Sequence, residues 1–207
     1  MTEGRQRQVD AVAIGCSAGG VDALSQLLPA LSTSARVPVF VVVHLPRERP
    51  SHLIDIFGSK CRMKVAEAED KQPALPGTVY FAPPDYHLLI DEGPQLALSA
   101  DEPVHFCRPA VDVLFESAAD AFGATLLGIV LSGANNDGAA GLAAIHRAGG
   151  VTLVQRPETA AAAAMPGAAR LAVPDSLVLE LAEIAEVLRA IKDGRCPSAC
   201  LSPRSPP

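Results

Sequence analysis

Hydrophobic and polar positions along this chain form two alternating patterns, short apolar runs and longer amphipathic stretches. The runs have the length of buried strands, and the stretches that follow them repeat apolar residues at helical spacing. The predicted strands of this kind are Val9–Ile14, Val37–Val43, Thr125–Leu131, Val151–Gln155 and a short run at Leu177–Leu179. The predicted helices are Val21–Leu31, one starting near Ser51, one starting at Pro109, Gly138–Arg147, Ala161–Leu171 and Ala182–Ile191. This alternation is typical of a parallel α/β sheet.

Residues 64–99 have a different pattern, in which short apolar runs are separated by proline- and glycine-bearing turns. The runs are Val65–Glu67, Thr78–Phe81, His87–Ile90 and Gln95–Leu98. Such spacing is typical of antiparallel hairpins. We therefore predict an α/β fold built on a mostly parallel, doubly wound sheet, with helices on both faces and an antiparallel hairpin excursion at one edge.

The chain of 207 residues is long enough for one buried core and short for two. We predict a single domain over residues 1–193. Residues 194–207 are rich in proline and serine and have no periodicity, so we predict a disordered tail there.

Composition narrows the functional classes. The net charge of −6 argues against a nucleic-acid partner, which would require a basic face. The chain begins without an apolar signal segment and has no run long enough to span a membrane, which predicts a cytoplasmic protein without membrane insertion. The five cysteines lack the pairing of a zinc motif, and we interpret them as free thiols.

Three chemically reactive residues each follow the end of a predicted strand. Ser17 follows the first strand, His44 the second, and Asp137 lies in the loop after Leu131. Because parallel strands bring their carboxyl ends to one edge of a sheet, we expect these side chains to converge. A serine nucleophile, a histidine base and an orienting carboxylate are the parts of a hydrolytic triad.

Each of the three residues also has a simpler interpretation. Gly15-Cys-Ser-Ala-Gly19 matches G-x-S-x-G between a strand and a helix, but a glycine-rich loop can equally bind a ligand. His44 could be a structural histidine at a strand end, and Asp137 before Gly138 could be a turn or a helix cap. The order Ser, His, Asp differs from that of α/β-hydrolases, which predicts a different scaffold.

Six segments, in order, resemble the chemotaxis-type protein-glutamate methylesterases, the CheB catalytic domain family. They are Ala13-Ile-Gly-Cys-Ser-Ala-Gly-Gly20, Val43-His-Leu-Pro46, Pro76-Gly-Thr-Val-Tyr-Phe-Ala-Pro-Pro-Asp-Tyr-His87, Arg108-Pro-Ala-Val-Asp-Val-Leu-Phe115, Leu131-Ser-Gly-Ala-Asn-Asn-Asp-Gly138 and Met165-Pro-Gly-Ala-Ala169. The resemblance covers roughly Val9 to Ile191. It implies that Ser17 is the nucleophile, His44 the general base and then acid, and Asp137 the orienting carboxylate.

The same resemblance implies a reaction and a partner. The reaction is hydrolysis of γ-glutamyl methyl esters on the helical cytoplasmic domain of a chemoreceptor or receptor-like protein, with deamidation of glutamines in some members. No metal or organic cofactor is implied. Family members commonly carry an N-terminal receiver domain, whereas here the strand leading to Ser17 begins near Val9. We therefore expect a stand-alone enzyme, whose further partners would be a separate response regulator or a methyltransferase.

Two departures from the family pattern keep an alternative open. Ala18 stands where many members have threonine, and Ala134 and Asn135 stand where they have Met-Gly. The resemblance places Ala18 and Ala134 at the oxyanion pocket, and we expect residues near Arg108 to take part in substrate recognition. Loss of an oxyanion donor would favour a catalytically weakened scaffold or partner module of a chemosensory or two-component system. A general small-ester hydrolase is disfavoured, because the sequence offers no lid or apolar acyl pocket.

Overall fold

The computed structural model describes residues 5–44 and 52–202. Numbered along this part of the chain, the strands are β1 (Gln6–Gln8), β2 (Ala11–Cys16), β3 (Val39–Val43), β4 (Lys64–Glu67), β5 (Thr78–Phe81), β6 (His87–Asp91), β7 (Gln95–Ser99), β8 (Leu126–Val130), β9 (Val151–Gln155), β10 (Leu177–Leu179) and β11 (Arg195–Pro197). The α-helices are α1 (Gly20–Leu27), α2 (Leu53–Gly58), α3 (Val111–Phe122), α4 (Ala139–Arg147), α5 (Ala164–Ala172) and α6 (Leu181–Ala190). The helix start predicted near Ser51 lies outside the described residues.

Within the described residues, seven parallel strands form the central sheet in the order β10-β9-β8-β2-β3-β5-β4. Each strand pair in it is parallel. The chain runs from β2 toward β4 in one direction and from β8 toward β10 in the other, so the order reverses between β2 and β8. Ligand sites of open α/β sheets assemble at such a switch point.

Helices cover both faces of the sheet, which confirms the doubly wound prediction. Helices α1, α2 and α6 pack on one face with residues such as Leu24, Phe57 and Leu188. Helices α3, α4 and α5 pack on the other face with residues such as Phe115 and Ile145. Successive residues of β2 point alternately into the two cores, as strand geometry requires.

The middle segment is only partly antiparallel. Strands β6 and β7 form the predicted hairpin, a separate two-stranded sheet that packs on α3, where Ile90 N–H donates to Ser117 Oγ over 3.1 Å. The antiparallel prediction is wrong for β4 and β5, which are parallel members of the main sheet. Every residue of β5 is buried. A strand buried on both faces belongs inside a parallel sheet.

The predicted tail also differs from the structure. Strand β11 pairs antiparallel with β1, and Cys196 is fully buried. Val9 N–H donates to Gly194 O over 2.8 Å, which joins the two ends of the described chain. Burial of one apolar side chain and pairing of the backbone therefore order residues 195–202, while residues 203–207 lie outside the described part. None of the described helices is both long and apolar enough to cross a bilayer.

Candidate active site

Three neighbouring strands place Ser17, His44 and Asp137 at one edge of the sheet. Cys16 pairs with Val43, so the residues that follow them, Ser17 and His44, lie side by side. His44 N–H donates to Cys16 O over 3.1 Å, and Ser17 N–H donates to Ser132 O over 2.9 Å, beyond the end of β8. The loop after β8 carries Asp137, so all three residues lie at this edge of the sheet. Among the described residues, His44 and Asp137 are joined by a side-chain hydrogen bond, whereas the side chain of Ser17 has no hydrogen bond to either of them.

His44 and Asp137 form a direct hydrogen bond. His44 Nε2 lies 2.8 Å from Asp137 Oδ2, with 10% of the His44 side chain and 0% of the Asp137 side chain exposed. Burial lowers the pKa of His44, but the bond to Asp137 and the contact with Cys107 outweigh it and raise the pKa to about 9. Because an ionised carboxylate can only accept, Nε2 carries the proton and Nδ1 is the basic nitrogen of the neutral ring.

Asp137 is held by the first turn of α3. Its Oδ2 accepts the N–H of Val111 over 2.7 Å, and its Oδ1 accepts the N–H of Asp112 over 2.9 Å. A helix N-terminus favours a negative charge. Burial raises the pKa of Asp137, but the bonds from His44, Val111 and Asp112 outweigh it, so the net shift is downward. The carboxylate is therefore ionised and fixed in place.

The serine loop, residues 15–20, takes its shape from Gly19 and from the buried hydroxyl of Ser132. Gly19 has φ +77°, and a Cβ there would lie 2.5 Å from Ala161 Cβ, so only glycine fits. Ser132 is 1% exposed; its hydroxyl donates to Ala18 O over 2.6 Å and accepts the N–H of Ala162 over 2.9 Å. These contacts fix the backbone that follows Ser17 and join it to the loop before α5. Ser132 was not singled out from the sequence, because its partners are far away along the chain.

Ala18 and Ala134 are both exposed beside this edge. Ala18 is the residue after Ser17 and precedes α1, so its N–H lies in the position from which nucleophile-elbow enzymes donate to an oxyanion. Ala134 follows Gly133, whose N–H and carbonyl are tied to Ala162 and Met165. An assignment of these residues to an oxyanion pocket thus depends on backbone groups, which a change of side chain leaves in place.

Arg108 is engaged within the protein. Its Nη2 lies 2.8 Å from Asp85 Oδ1, and its Nη1 donates to the carbonyls of Ala100 and Asp101 over 2.7 and 3.0 Å. Only 18% of the side chain is exposed. This arrangement anchors the segment that leads into α3. It favours a positioning role for Arg108 over the direct substrate contact expected from the sequence.

Cys107 belongs to the site, although the sequence analysis treated it only as a free thiol. Its Sγ lies 3.6 Å from His44 Nδ1, and Asn135 Nδ2 donates to the same sulfur over 3.3 Å. No motif or spacing relates Cys107 to His44, so only its place next to Arg108 could have drawn attention to it. His87, in contrast, is a satisfied structural residue that is 1% exposed and contacts the backbone of Glu102 and Ala110.

A second carboxylate lies just beyond Asp137. His105 Nε2 is 3.1 Å from Asp112 Oδ2, and Gly141 N–H donates to Asp112 Oδ1 over 2.7 Å. Burial raises the pKa of Asp112 despite the bond from Gly141, and the charge of Asp137 adds to the increase. The two carboxylates therefore differ in environment, and Asp137 is the one that is stabilised as an anion.

Comparisons with known proteins identify the family of the chain. The sequence model of the family described as CheB methylesterase matches residues 12–188. A Leptospira interrogans protein, provisionally named protein-glutamate methylesterase/protein-glutamine glutaminase, is 42% identical over 86% of this chain and 92% of its own length. The Trichodesmium erythraeum protein-glutamate methylesterase/protein-glutamine glutaminase is 38% identical over 89% of this chain, which spans only 53% of that protein.

A solved structure has the same fold. The crystal structure of the Thermotoga maritima CheB methylesterase catalytic domain superimposes with a TM-score of 0.83 at 29% sequence identity, over 88% of this chain and 98% of that one. The chain belongs to the CheB methylesterase family.

Proposed function

We propose that this protein is a serine hydrolase that removes γ-glutamyl methyl esters from chemoreceptor-type helical proteins and also deamidates glutamine side chains there. The observation that carries the proposal is the 2.8 Å bond between His44 and Asp137, at the sheet edge where Ser17 lies beside His44. A buried, ionised carboxylate that fixes one imidazole nitrogen leaves the other to act as a base. Membership of the CheB methylesterase family supports the choice of substrate.

In the first half of the reaction, Ser17 Oγ attacks the ester carbonyl carbon and its proton passes to His44 Nδ1. The ionised Asp137 stabilises the imidazolium that forms. The tetrahedral intermediate then collapses. The bond to the methoxy group breaks, His44 returns the proton to it, and methanol leaves behind an acyl-enzyme on Ser17.

In the second half, water attacks the acyl-enzyme and gives a proton to His44, which passes it back to Ser17. The products are free Ser17 and a glutamate side chain. With a glutamine substrate the same steps release ammonia instead of methanol. The N–H groups of Ala18 and Ala134 would stabilise the oxyanion, so the loss of a threonine hydroxyl at position 18 leaves this part of the mechanism intact.

The substrate determines the partner and the compartment. The partner is the helical signalling domain of a chemoreceptor or a receptor-like protein, which faces the cytoplasm, and this protein would act there. A separate response regulator or methyltransferase would belong to the same signalling system. The net charge of −6 disfavours a highly acidic docking surface on that partner.

The test measures methanol released from radiolabelled, methylated receptor cytoplasmic fragments of the source organism. Wild type is compared with Ser17→Ala, and Ser25→Ala is the matched control, since Ser25 lies in α1 and its hydroxyl bonds only the carbonyl of Val21. We expect release by wild type and Ser25→Ala and its loss in Ser17→Ala. Ammonia release from fragments with glutamine at the methylation positions tests the deamidase activity in parallel.

Two results would contradict the proposal. Release that survives in Ser17→Ala would remove Ser17 from the mechanism. No release from any fragment by folded wild-type protein that still binds the receptor would favour the scaffold alternative over the enzyme.

A further inference from the structure

The thiol of Cys107 lies against the one imidazole nitrogen of His44 that the carboxylate leaves free. Its Sγ is 3.6 Å from Nδ1, while Nε2 is held by Asp137 at 2.8 Å. The ester hydrolysis proposed above uses Nδ1 but has no task for a thiol. A sulfur ligand and a nitrogen ligand thus meet at the centre of the site for a reason that the reaction does not supply.

The main chain holds Cys107 in this position. Val104 and Cys107 exchange both backbone hydrogen bonds across a two-residue turn, over 3.1 and 2.9 Å. The next residue, Arg108, is anchored on Asp85 over 2.8 Å. Cys107 and His44 are both partly exposed, and 10% of the His44 side chain is accessible. The pair is therefore fixed in position and not sealed inside the core.

We propose that His44 Nδ1 and Cys107 Sγ together bind a soft divalent cation such as Zn²⁺, which inhibits the enzyme. Zinc bonds of about 2.3 Å to sulfur and about 2.0 Å to nitrogen, at a tetrahedral angle, place the two ligand atoms about 3.6 Å apart. The observed separation is 3.6 Å. The spacing of the two ligand atoms therefore suits such an ion, with water as its remaining ligands.

The hydrogen bond between His44 and Asp137 favours metal binding at Nδ1 of His44. Metal-binding histidines generally donate their second ring N–H to a carboxylate, which fixes the tautomer and strengthens the ligand. His44 donates Nε2–H to Asp137 in this way, and the ligand atoms offered by His44, Cys107 and Asp137 lie within 4.8 Å of one another. Asp137 supports the ligand here, because its oxygens are occupied by Val111, Asp112 and His44.

Binding exchanges protons for the ion. Below pH 9 the Cys107 thiol, the His44 imidazolium and Zn²⁺ give a zinc thiolate, a zinc-bound neutral imidazole and two H⁺, because the pKa of His44 is about 9. No oxidation or reduction takes place. With two protein ligands the complex is reversible, unlike a closed structural zinc site with four. The ion occupies Nδ1, the lone pair that must accept the Ser17 proton, so hydrolysis stops while the metal is bound. Only this consequence for activity rests on the proposed function; the binding itself does not.

The ligand pair also determines which metals compete. Thiolate and imidazole select zinc, cobalt and copper, whereas magnesium and calcium require oxygen ligands. We therefore expect Mg²⁺ and Ca²⁺ at equal concentration to leave the site unoccupied. This preference separates a specific site from general screening of an acidic protein by divalent ions.

The first experiment titrates the full chain with Co²⁺ and follows its absorption spectrum. A cobalt thiolate gives a sulfur-to-metal charge-transfer band and the visible bands of a tetrahedral ion. We expect both in wild type and a loss of the charge-transfer band in Cys107→Ser. Cys200→Ser is the matched control, because Cys200 hydrogen-bonds the thiol of Cys196 and forms the competing pair of sulfurs. Thermal unfolding of each variant shows whether it is folded.

A charge-transfer band that persists in Cys107→Ser but disappears in Cys200→Ser would overturn the proposal, and so would its absence in wild type.

In the second experiment Zn²⁺ is added during hydrolysis, and each variant is compared with its own metal-free rate. We expect the zinc concentration for half inhibition to rise at least tenfold in Cys107→Ser. Cobalt binding without any hydrolysis by wild type would contradict the proposed function alone, whereas hydrolysis that zinc does not inhibit would contradict the inhibitory site alone.

Discussion

The backbone N–H of Val111 donates to Oδ2 of Asp137 over 2.7 Å, and the same oxygen accepts from His44. The first turn of α3 thus contributes backbone N–H groups to the candidate active site. Because Asp137 comes from the loop after β8, it joins two segments that are remote in sequence. A change in either segment should therefore affect the orientation of His44.

Replacing Asp137 by asparagine tests this relationship. Asp137→Asn keeps the shape of the side chain but removes the charge that stabilises the imidazolium and lets His44 adopt the wrong tautomer. We expect kcat to fall by about 10⁴-fold, as in other triads. The control is Asp120→Asn, which changes an exposed carboxylate on α3 and should alter kcat little. A loss of less than tenfold in Asp137→Asn would mean that Asp137 has no role in catalysis.

The pH dependence of hydrolysis follows from the pKa of His44. The folded-state pKa is raised to about 9, and in the proposed mechanism only the neutral ring can accept the Ser17 proton. We therefore expect kcat/KM to rise tenfold per pH unit below that value and to level off above it. Cys107→Ser removes one cause of the raised pKa, so its profile should shift to lower pH. A profile that is flat from pH 6 to 9 in both proteins, with hydrolysis shown to limit the rate, would contradict this assignment.

The hydroxyl of Ser132 offers a test of how the serine loop is held. Ser132→Ala leaves the carbonyl of Ala18 and the N–H of Ala162 without their partner in a partly buried setting. Such a loss costs about 1–3 kcal/mol of stability. We expect denaturant unfolding to show this decrease and kcat to decrease as well, because Ala18 adjoins Ser17. The control is Ser25→Ala, which should change neither quantity by a comparable amount.

Gly15 shows why α3 can approach the sheet so closely. A Cβ at position 15 would lie 2.2 Å from Val111 Cγ1, so Gly15→Ala must push back the turn that holds Asp137. We expect a loss of about 1–3 kcal/mol in the free energy of unfolding, together with a lower kcat. Val111→Ala removes the clashing methyl groups and should partly restore both when combined with Gly15→Ala. Additive losses in the double variant would show that the two residues are not coupled.

The sequence indicated the parts of the fold where one pattern dominates. Uniform apolar runs identified β2, β3, β8 and β9, and the turn-separated runs identified the β6–β7 hairpin. Strand β5 was assigned to the wrong pairing because its four residues are too few for periodicity to distinguish a parallel strand from an antiparallel one. Its lack of any polar alternation was the available signal. The pairing of β11 with β1 depends on a contact between the two ends of the chain, which no local pattern reports.

The site was predictable to the extent that strand order places residues at one edge. Ser17, His44 and Asp137 follow three strands and could be grouped on that basis. Cys107 could not, since it lies in an irregular segment between the hairpin and α3, and its contact with His44 spans 63 residues. Arg108 was associated with the substrate, but its ion pair with Asp85 depends on the position of the hairpin. Long-range contacts between irregular segments are the part that pattern alone does not determine.

Phe106 provides the last prediction, which concerns recognition of the receptor. Its side chain is 98% exposed, on a turn where both His105 and Phe106 have positive φ. It is the neighbour in sequence of Cys107, whose sulfur contacts His44, so Phe106 adjoins the candidate site. Exposed aromatic side chains are enriched among the residues that dominate binding to a partner protein.

We expect Phe106→Ala to raise KM for methylated receptor fragments several-fold while leaving kcat and the free energy of unfolding nearly unchanged. Hydrolysis of a small soluble ester, which lacks the receptor surface, should be unaffected. Leu171→Ala is the matched control, because Leu171 is 83% exposed on α5 and lies apart from the serine loop and from Cys107 in sequence. Steady-state kinetics on both substrates measure the effect. Equal KM values for the fragment in all three proteins would show that Phe106 does not contact the receptor, and a parallel loss on the small ester would show instead that it supports the catalytic site.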